Sequence, residues 1–364
     1  MSVSQATLSS NSTTARDAAP LSLYLAGVGS VGTALLYQLS QLNGAARRPH
    51  LVGACTSTRA AWTAPHPTPD AVQHHIENGS ELHWPGVLER LTDDVPRPLV
   101  FVDATGHSDV ADHYTTLLEA GIHIVTPSKI ANSRSQHAFD RLHETAAQHN
   151  VQYRYETTVG AGLPVVRTVR DLRATGDRVQ TIRGAVSGTL TFLFSRMRAG
   201  DSFGKAVRTA IRKGYAEPDI RDDLSGEDVV RKFLILARTA GASIDRDDVE
   251  VESLVPDALR DCPPLTFRRH VSKSNDAWRE RAEAAAADGA VLQYVGRWTP
   301  GKGIRVGVEA VPADTDLGRL NGQDNLFQVT TNRYSDSPLT IRGPGAGPEV
   351  TAAGVLADVL AIAE

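Results

Sequence analysis

Leu21 to Gly32 reads LSLYLAGVGSVG, and the fold turns on this stretch. Leu21 to Ala26 is a short buried strand by its apolar run. Gly27-Val28-Gly29-Ser30-Val31-Gly32 then spells G-x-G-x-x-G, and Thr33 to Leu42 carries apolar residues at helical spacing. A buried strand, this loop and a helix in that order are the context in which the pattern holds a dinucleotide. Gly27 makes the tight turn, Gly29 admits a pyrophosphate, and Gly32 lets the helix pack on the strand. The helix start offers free N–H groups and a partial positive charge to phosphates.

Working outward, Leu51–Ala54, Leu99–Val102, Ile122–Val125 and Val151–Tyr155 read as further strands. Val110–Ala120 and His137–Gln148 read as helices between them. This alternation predicts a parallel sheet covered on both faces. Residues 61–98, rich in Pro and His, yield no clear element. After Glu156 the pattern changes. Val179–Val186 is a predicted strand; Leu190–Met197, Phe203–Lys213 and Glu227–Thr239 are predicted helices. Val291–Trp298, Gly303–Ala310, Leu326–Thr331 and Leu339–Ile341 then read as strands with short turns, which favours antiparallel or mixed pairing. Residues 268–289 suggest a solvated helix, and Val350–Ile362 a closing one. The fold class expected is α/β: a Rossmann-type dinucleotide-binding domain and an α+β domain with a mixed sheet.

The chain has 364 residues, enough for about two domains. Lys and Arg number 38 against 42 Asp and Glu, a net −4 that excludes a bulk basic footprint for nucleic acid. Apolar runs such as Phe233–Ala237 are far short of a bilayer span, so no membrane partner is expected. Residues 1–20 form neither a signal nor an Arg-rich transit peptide and read as a disordered tail. Two cysteines, Cys55 and Cys262, make no disulfide framework and suit a cytoplasmic location. The twelve histidines are scattered without metal spacing, His66, His74 and His75 among them as surface residues.

The end of the second strand, Ala54 to Arg59, lacks the carboxylate that holds the ribose of NAD. Its hydroxyls and Arg59 suit a 2′-phosphate, so NADP is favoured and NAD stays possible. The densest polar stretch runs from Lys213 to Lys232. Asp228 and Lys232 are four apart and share one helix face. Ser225 with Asp228 also fits a capping box, which would make that pairing ordinary. Against this stand the apolar neighbours Val229, Val230, Phe233 and Leu234, and the carboxylates Glu217, Asp219, Asp222 and Asp223 just before. A partly desolvated lysine beside a dinucleotide suits proton transfer.

From about Leu21 onward the chain resembles homoserine dehydrogenase. The carrying motifs are GVGSVG (27–32), VDAT (102–105), VTPSKIAN (125–132), ETTVGAGLP (156–164), SGTL (187–190), GYAEPDIRDDLSGEDVVRK (214–232) and RGPGAGPEVTAAGV (342–355). The resemblance implies an oxidoreductase that interconverts L-aspartate 4-semialdehyde and L-homoserine with NAD(P)H, in threonine, methionine and isoleucine biosynthesis. It implies Lys232 as proton donor and Lys129 as second active-site lysine. Glu217 and Asp228 hold the substrate, and Asp223 supports them. Val28, Gly29, Ser30, Val31, Thr105, Lys129, Gly214 and Gly347 contact the cofactor. Glu156 and the carbonyls of Val159, Ala161 and Leu163 form a structural sodium site. A homodimer through the mixed sheet is implied too.

The domains expected are 21–155, completed by 343–364, for the dinucleotide, and 156–342 for substrate and dimerisation. Ser128-Lys129-Ile130 departs from the family's Asn-Lys-Lys, and Thr315-Asp316 from its His-Pro. Neither a regulatory C-terminal domain nor an aspartate kinase domain is expected. Rival readings are thioester oxidation, for which neither cysteine is well placed, another small-amino-acid alcohol dehydrogenase, and an NADP-binding sensor on the same fold.

Overall fold

The computed structural model describes residues 20–42, 48–64 and 67–363. The tail expected over 1–20 lies, except for Pro20, outside the described residues, as does His66. Among the described residues no helix is long and apolar enough to cross a membrane.

A strand buried on both faces is apolar along its run, and β1 (Ser22–Ala26) is buried at every position, Ser22 included. It sits at the middle of a seven-stranded sheet. Following it are α1 (Ser30–Gln41), β2 (His50–Cys55), β3 (Arg59–Trp62), α2 (Pro69–Glu77), β4 (Ser80–Glu81) and α3 (Trp84–Asp93). Then come β5 (Leu99–Asp103), α4 (Ser108–Ala111), α5 (Tyr114–Glu119), β6 (His123–Val125), α6 (Gln136–Gln148) and β7 (Tyr153–Arg154). The order is β4-β3-β2-β1-β5-β6-β7. The pairs from β2 to β7 are parallel.

The wholly parallel sheet expected from the sequence is corrected at one edge. β3 and β4 run antiparallel, because β2 and β3 are joined by the short turn Thr56–Thr58, too short for a crossover. The segment that resisted reading also holds α2 and α3. Each starts on a side-chain cap and an early proline: Thr68 accepts from the Ala71 amide, and His83 Nδ1 from the Gly86 amide. Each buries two residues one turn apart, Val72 with Ile76 and Val87 with Leu91. The single helix expected over 110–120 breaks at Asp112-His113, which places Asp112 on Arg134 and the His113 ring 4.9 Å from Trp84.

The second half adds α7 (Val165–Ala174), β8 (Val179–Ala185), α8 (Gly188–Arg198), α9 (Phe203–Arg212), α10 (Ile220–Leu224) and α11 (Glu227–Thr239). After them come β9 (Val249–Val251), α12 (Pro264–His270), α13 (Asn275–Ala287) and β10 (Ala290–Thr299). The last elements are β11 (Gly303–Pro312), β12 (Asp324–Thr331), β13 (Leu339–Pro344) and α14 (Pro348–Ile362). The six strands order as β13-β12-β8-β10-β11-β9. Only β9 pairs in parallel, so the sheet is mixed. The solvated helix expected over 268–289 is instead interrupted before Asn275, and α13 buries Trp278 against Phe203 at 5.0 Å. α7 adds a helix between Pro164 and β8 that buries Val165, Val166 and Val169.

α11 is the axis of this half. Its residues from Val229 to Thr239 are buried apart from Arg231. It lies close on β10 because Gly296 has no Cβ, which would run into the Phe233 ring. α14 returns to the first sheet, where Val355 and Val359 join Leu35 and Leu39 of α1 in one cluster.

Candidate active site

The glycine loop leaves β1 with Gly27 at φ 95, a conformation that favours glycine. A Cβ at Gly27 would also press on the Ala104–Thr105 backbone, and one at Gly32 would run into the Gly27 carbonyl. Gly29 is the residue before α1 and has open space about its Cα. Among the described residues no side chain caps α1, so its first turn is left for an anion. Ser30 and Val31 open the helix, and Val28 is half-buried against the cluster of the first sheet. Thr105 sits opposite, its amide and hydroxyl donating to Asp103 Oδ1 at 2.8 and 2.6 Å. Asp103 is fully buried and also accepts from Tyr114 Oη at 2.5 Å. This cradle fits a dinucleotide's phosphates.

From Val31 and Gly347 a cleft of about 810 Å3 runs to α11. Lys129, Glu217, Asp223, Asp228 and Lys232 all line it. Lys232 is only 7% exposed, its stem carried in the buried face of α11. Its Nζ donates to the Val186 carbonyl at 2.6 Å and lies 2.9 Å from Asp228 Oδ2. Lys129 approaches from the turn after β6, its Nζ 3.3 Å from Asp228 Oδ1. That turn is fixed by Thr126, whose hydroxyl donates to the Asp103 carbonyl at 3.1 Å and accepts from the Ser128 amide at 2.9 Å.

Asp228 therefore gathers two ammoniums, one from its own helix and one from the turn after β6. Burial would raise its pKa, but Lys232 and Lys129 outweigh that and hold the carboxyl well below the usual range. A depressed carboxylate stabilises the fold above its unfolded value and loses that contribution as pH falls. The capping box read into Ser225 and Asp228 does not form. Gly226, φ 80, precedes α11 because a Cβ there would run into the Tyr294 hydroxyl. Ser225 Oγ accepts instead from the Glu227 amide at 3.2 Å, which leaves Asp228 free to turn to the lysines.

Glu217 also lines the cleft, and its amide donates to Asp223 Oδ2 at 2.8 Å. Burial raises the Asp223 pKa against that amide, with Glu217 and Asp228 adding to the rise. Gly347 precedes α14 at φ 130 and lines the cleft. Gly214 closes α9 at φ 70 and is not part of the cleft lining. Arg59 lies away from the lysines, in a cavity with Val28 and Thr56.

Glu156 accepts from the Val166 and Arg167 amides at 2.9 and 2.6 Å, capping α7. Burial pushes its carboxyl up to about 7, the two amides opposing and Asp358 adding to the rise. Val159, Ala161 (φ 53) and Leu163 follow on the next turn, and the Leu163 carbonyl already accepts from Val165 at 2.8 Å. One half-buried carboxylate among backbone carbonyls is a donor set that fits a hard monovalent cation.

Two partners escaped sequence reading. The Val186 carbonyl takes both Lys232 and Asn325 Nδ2, the latter at 3.1 Å. Asn325 is buried at the start of β12, and Gly345 packs so closely that a Cβ would fall on its side chain. The sequence signal was there in the Gln323-Asp324-Asn325 turn and the GPGAG motif, but the contact spans distant segments.

Two family models match the chain. One, described as the NAD binding domain of homoserine dehydrogenase, matches residues 27–156; the other, homoserine dehydrogenase, matches 164–360. A bifunctional aspartokinase/homoserine dehydrogenase 1 of Zea mays is 43% identical over 72% of this chain, which spans 29% of that relative's length. Homoserine dehydrogenase of Paracoccidioides brasiliensis (strain Pb18) is 38% identical over 93% of this chain and 96% of its own. A Candida auris protein described as of unknown function superposes with TM-score 0.87 at 33% identity, over 94% of this chain and 98% of its own. A hyperthermophilic archaeal homoserine dehydrogenase in complex with NADPH shares the fold at TM-score 0.72 and 21% identity, over 93% and 96% of the two chains. On both family models and a relative matched along nearly its whole length, the chain belongs to the homoserine dehydrogenase family of oxidoreductases.

Proposed function

We propose that this chain interconverts L-homoserine and L-aspartate 4-semialdehyde with NADP(H), and with NAD(H) as second choice. One observation carries the reading: Lys129 and Lys232 meet on Asp228 in a cleft that begins at the glycine loop. The bound dinucleotide supplies or accepts the hydride. Lys232 gives the proton to the oxygen that becomes the alcohol, and Lys129 helps neutralise the charge growing there. Glu217 and Asp228 hold the substrate ammonium, with Asp223 fixing the Glu217 backbone. Residues 27–32, Thr105, Lys129, Gly214 and Gly347 meet the cofactor, and Arg59 meets its 2′-phosphate. We assign 21–155 with 343–364 to the cofactor, and 156–342 to substrate and dimerisation. Absorbance at the nicotinamide band, with homoserine and NAD or NADP, tests the activity. Binding of dinucleotide without reduction of either would leave only a sensor.

Arg59→Ala is expected to raise KM for NADPH about tenfold, the loss of one charge-assisted contact, with KM for NADH unchanged. Equal KM shifts for both would remove Arg59 from phosphate recognition. A sodium ion at Glu156, Val159, Ala161 and Leu163 is expected to raise Tm when sodium chloride replaces choline chloride at constant ionic strength. Glu156→Gln should abolish the gain, and a gain that survives it would place sodium elsewhere.

The homodimer forms on the second sheet, where Gln328, Arg183, Arg297 and Arg305 stand in register across four strands and Glu309 pairs with Arg183 and Arg297. Sedimentation should give twice the mass of one chain. Both cysteines are free, in keeping with a cytoplasmic location that cell fractionation checks.

A further inference from the structure

The excursion between β2 and α3 holds residues that none of the steps above uses, yet it walls the cofactor end. A second cavity of about 300 Å3 lies beside the glycine loop, lined by Val28, Thr56, Arg59, Gln73, Ile76 and Glu77. Val28 belongs to the loop, Thr56 to the turn after β2, Arg59 to the start of β3, and the other three to α2. In this type of site the end of the second strand meets the adenosine ribose. Two opposite charges face the same space. Arg59 Nη1 donates to the Gly79 carbonyl at 2.8 Å, so among the described residues the guanidinium is anchored by a carbonyl. Glu77 is anchored by Gln73, whose Nε2 donates to Oε1 at 3.3 Å one turn away on the same helix.

We propose that Glu77, oriented by Gln73, is a specificity-determining residue that opposes Arg59 and sets the balance between phosphorylated and unphosphorylated dinucleotides. The proposal rests on the cofactor reading above. A carboxylate accepts from a ribose hydroxyl and repels a 2′-phosphate; a guanidinium does the reverse. Placing one of each on a single cavity yields a site that tolerates both cofactors. Glu77 is exposed, so its influence is that of a solvent-screened charge.

Glu77→Gln keeps the shape and removes the charge. It is expected to raise kcat/KM for NADPH about fivefold without raising that for NADH. The gain should shrink as ionic strength rises, which a packing effect would not do. Independently of turnover, calorimetric affinity for 2′,5′-ADP should rise by the same factor while that for 5′-AMP does not. Equal gains for both ligands, or none for 2′,5′-ADP, overturn the role of Glu77. Arg59→Ala separates the two layers. If it weakens 2′,5′-ADP while Glu77→Gln is silent, the cofactor reading stands and this proposal falls. If Arg59→Ala leaves 2′,5′-ADP binding intact, the cofactor reading of the cavity falls and the proposal falls with it.

Discussion

Lys232→Ala is expected to lower kcat about 100- to 10,000-fold, the range that a positioned proton donor contributes. Affinity for NADPH, read by its fluorescence, should stay near that of the unaltered chain. The separation follows from position. Lys232 lies on the α11 side of the cleft with its ammonium on Val186 and Asp228, whereas the glycine loop is built on β1 and α1. Alanine at 232 leaves Asp228 still paired with Lys129, so the carboxylate is not stranded. Lys232→Met, closer in volume, guards against a packing artefact and should show the same kcat. Turnover within about tenfold of the original in both variants would remove Lys232 from proton transfer.

Gly345→Ala should cost both stability and turnover through a residue with no reactive group. The added Cβ falls on the buried side chain of Asn325. Overpacking of this kind costs roughly 1–3 kcal/mol, and Tm should drop by several degrees. Asn325 shares the Val186 carbonyl with Lys232, so its displacement shifts the acceptor that aims the ammonium. kcat should fall while KM for the dinucleotide changes little. Unchanged Tm together with unchanged kcat would show that the contact yields freely.

The sequence made the first sheet readable where strands are buried on both faces, because such strands are apolar along their run, as Leu99–Val102 are. It was unreadable over residues 61–98, where α2 and α3 each commit only two side chains to the core and so lack a long periodic stripe. Their starts were nonetheless written locally, as Thr68-Pro69 and His83-Trp84-Pro85. In the site, Asp228 and Lys232 were visible because they are four residues apart on one helix. Lys129 is not derivable from spacing, since it reaches Asp228 from the turn after β6, distant in sequence, and only the family resemblance points to it. The Val186 carbonyl belongs to the backbone, which no side-chain pattern announces.

α11 is fastened twice to one short stretch of chain. Near its start Asp228 holds Lys129, and at its end Arg238 donates from Nη1 to the carbonyls of Asn132 and Arg134, each at 2.8 Å. The two fastenings are ten residues apart on the helix, about 15 Å along its axis. A rod bolted at both ends cannot swivel about either bolt. The wall that carries Lys232 and the turn that carries Lys129 are thereby joined at two points, so the two ammoniums belong to one braced unit.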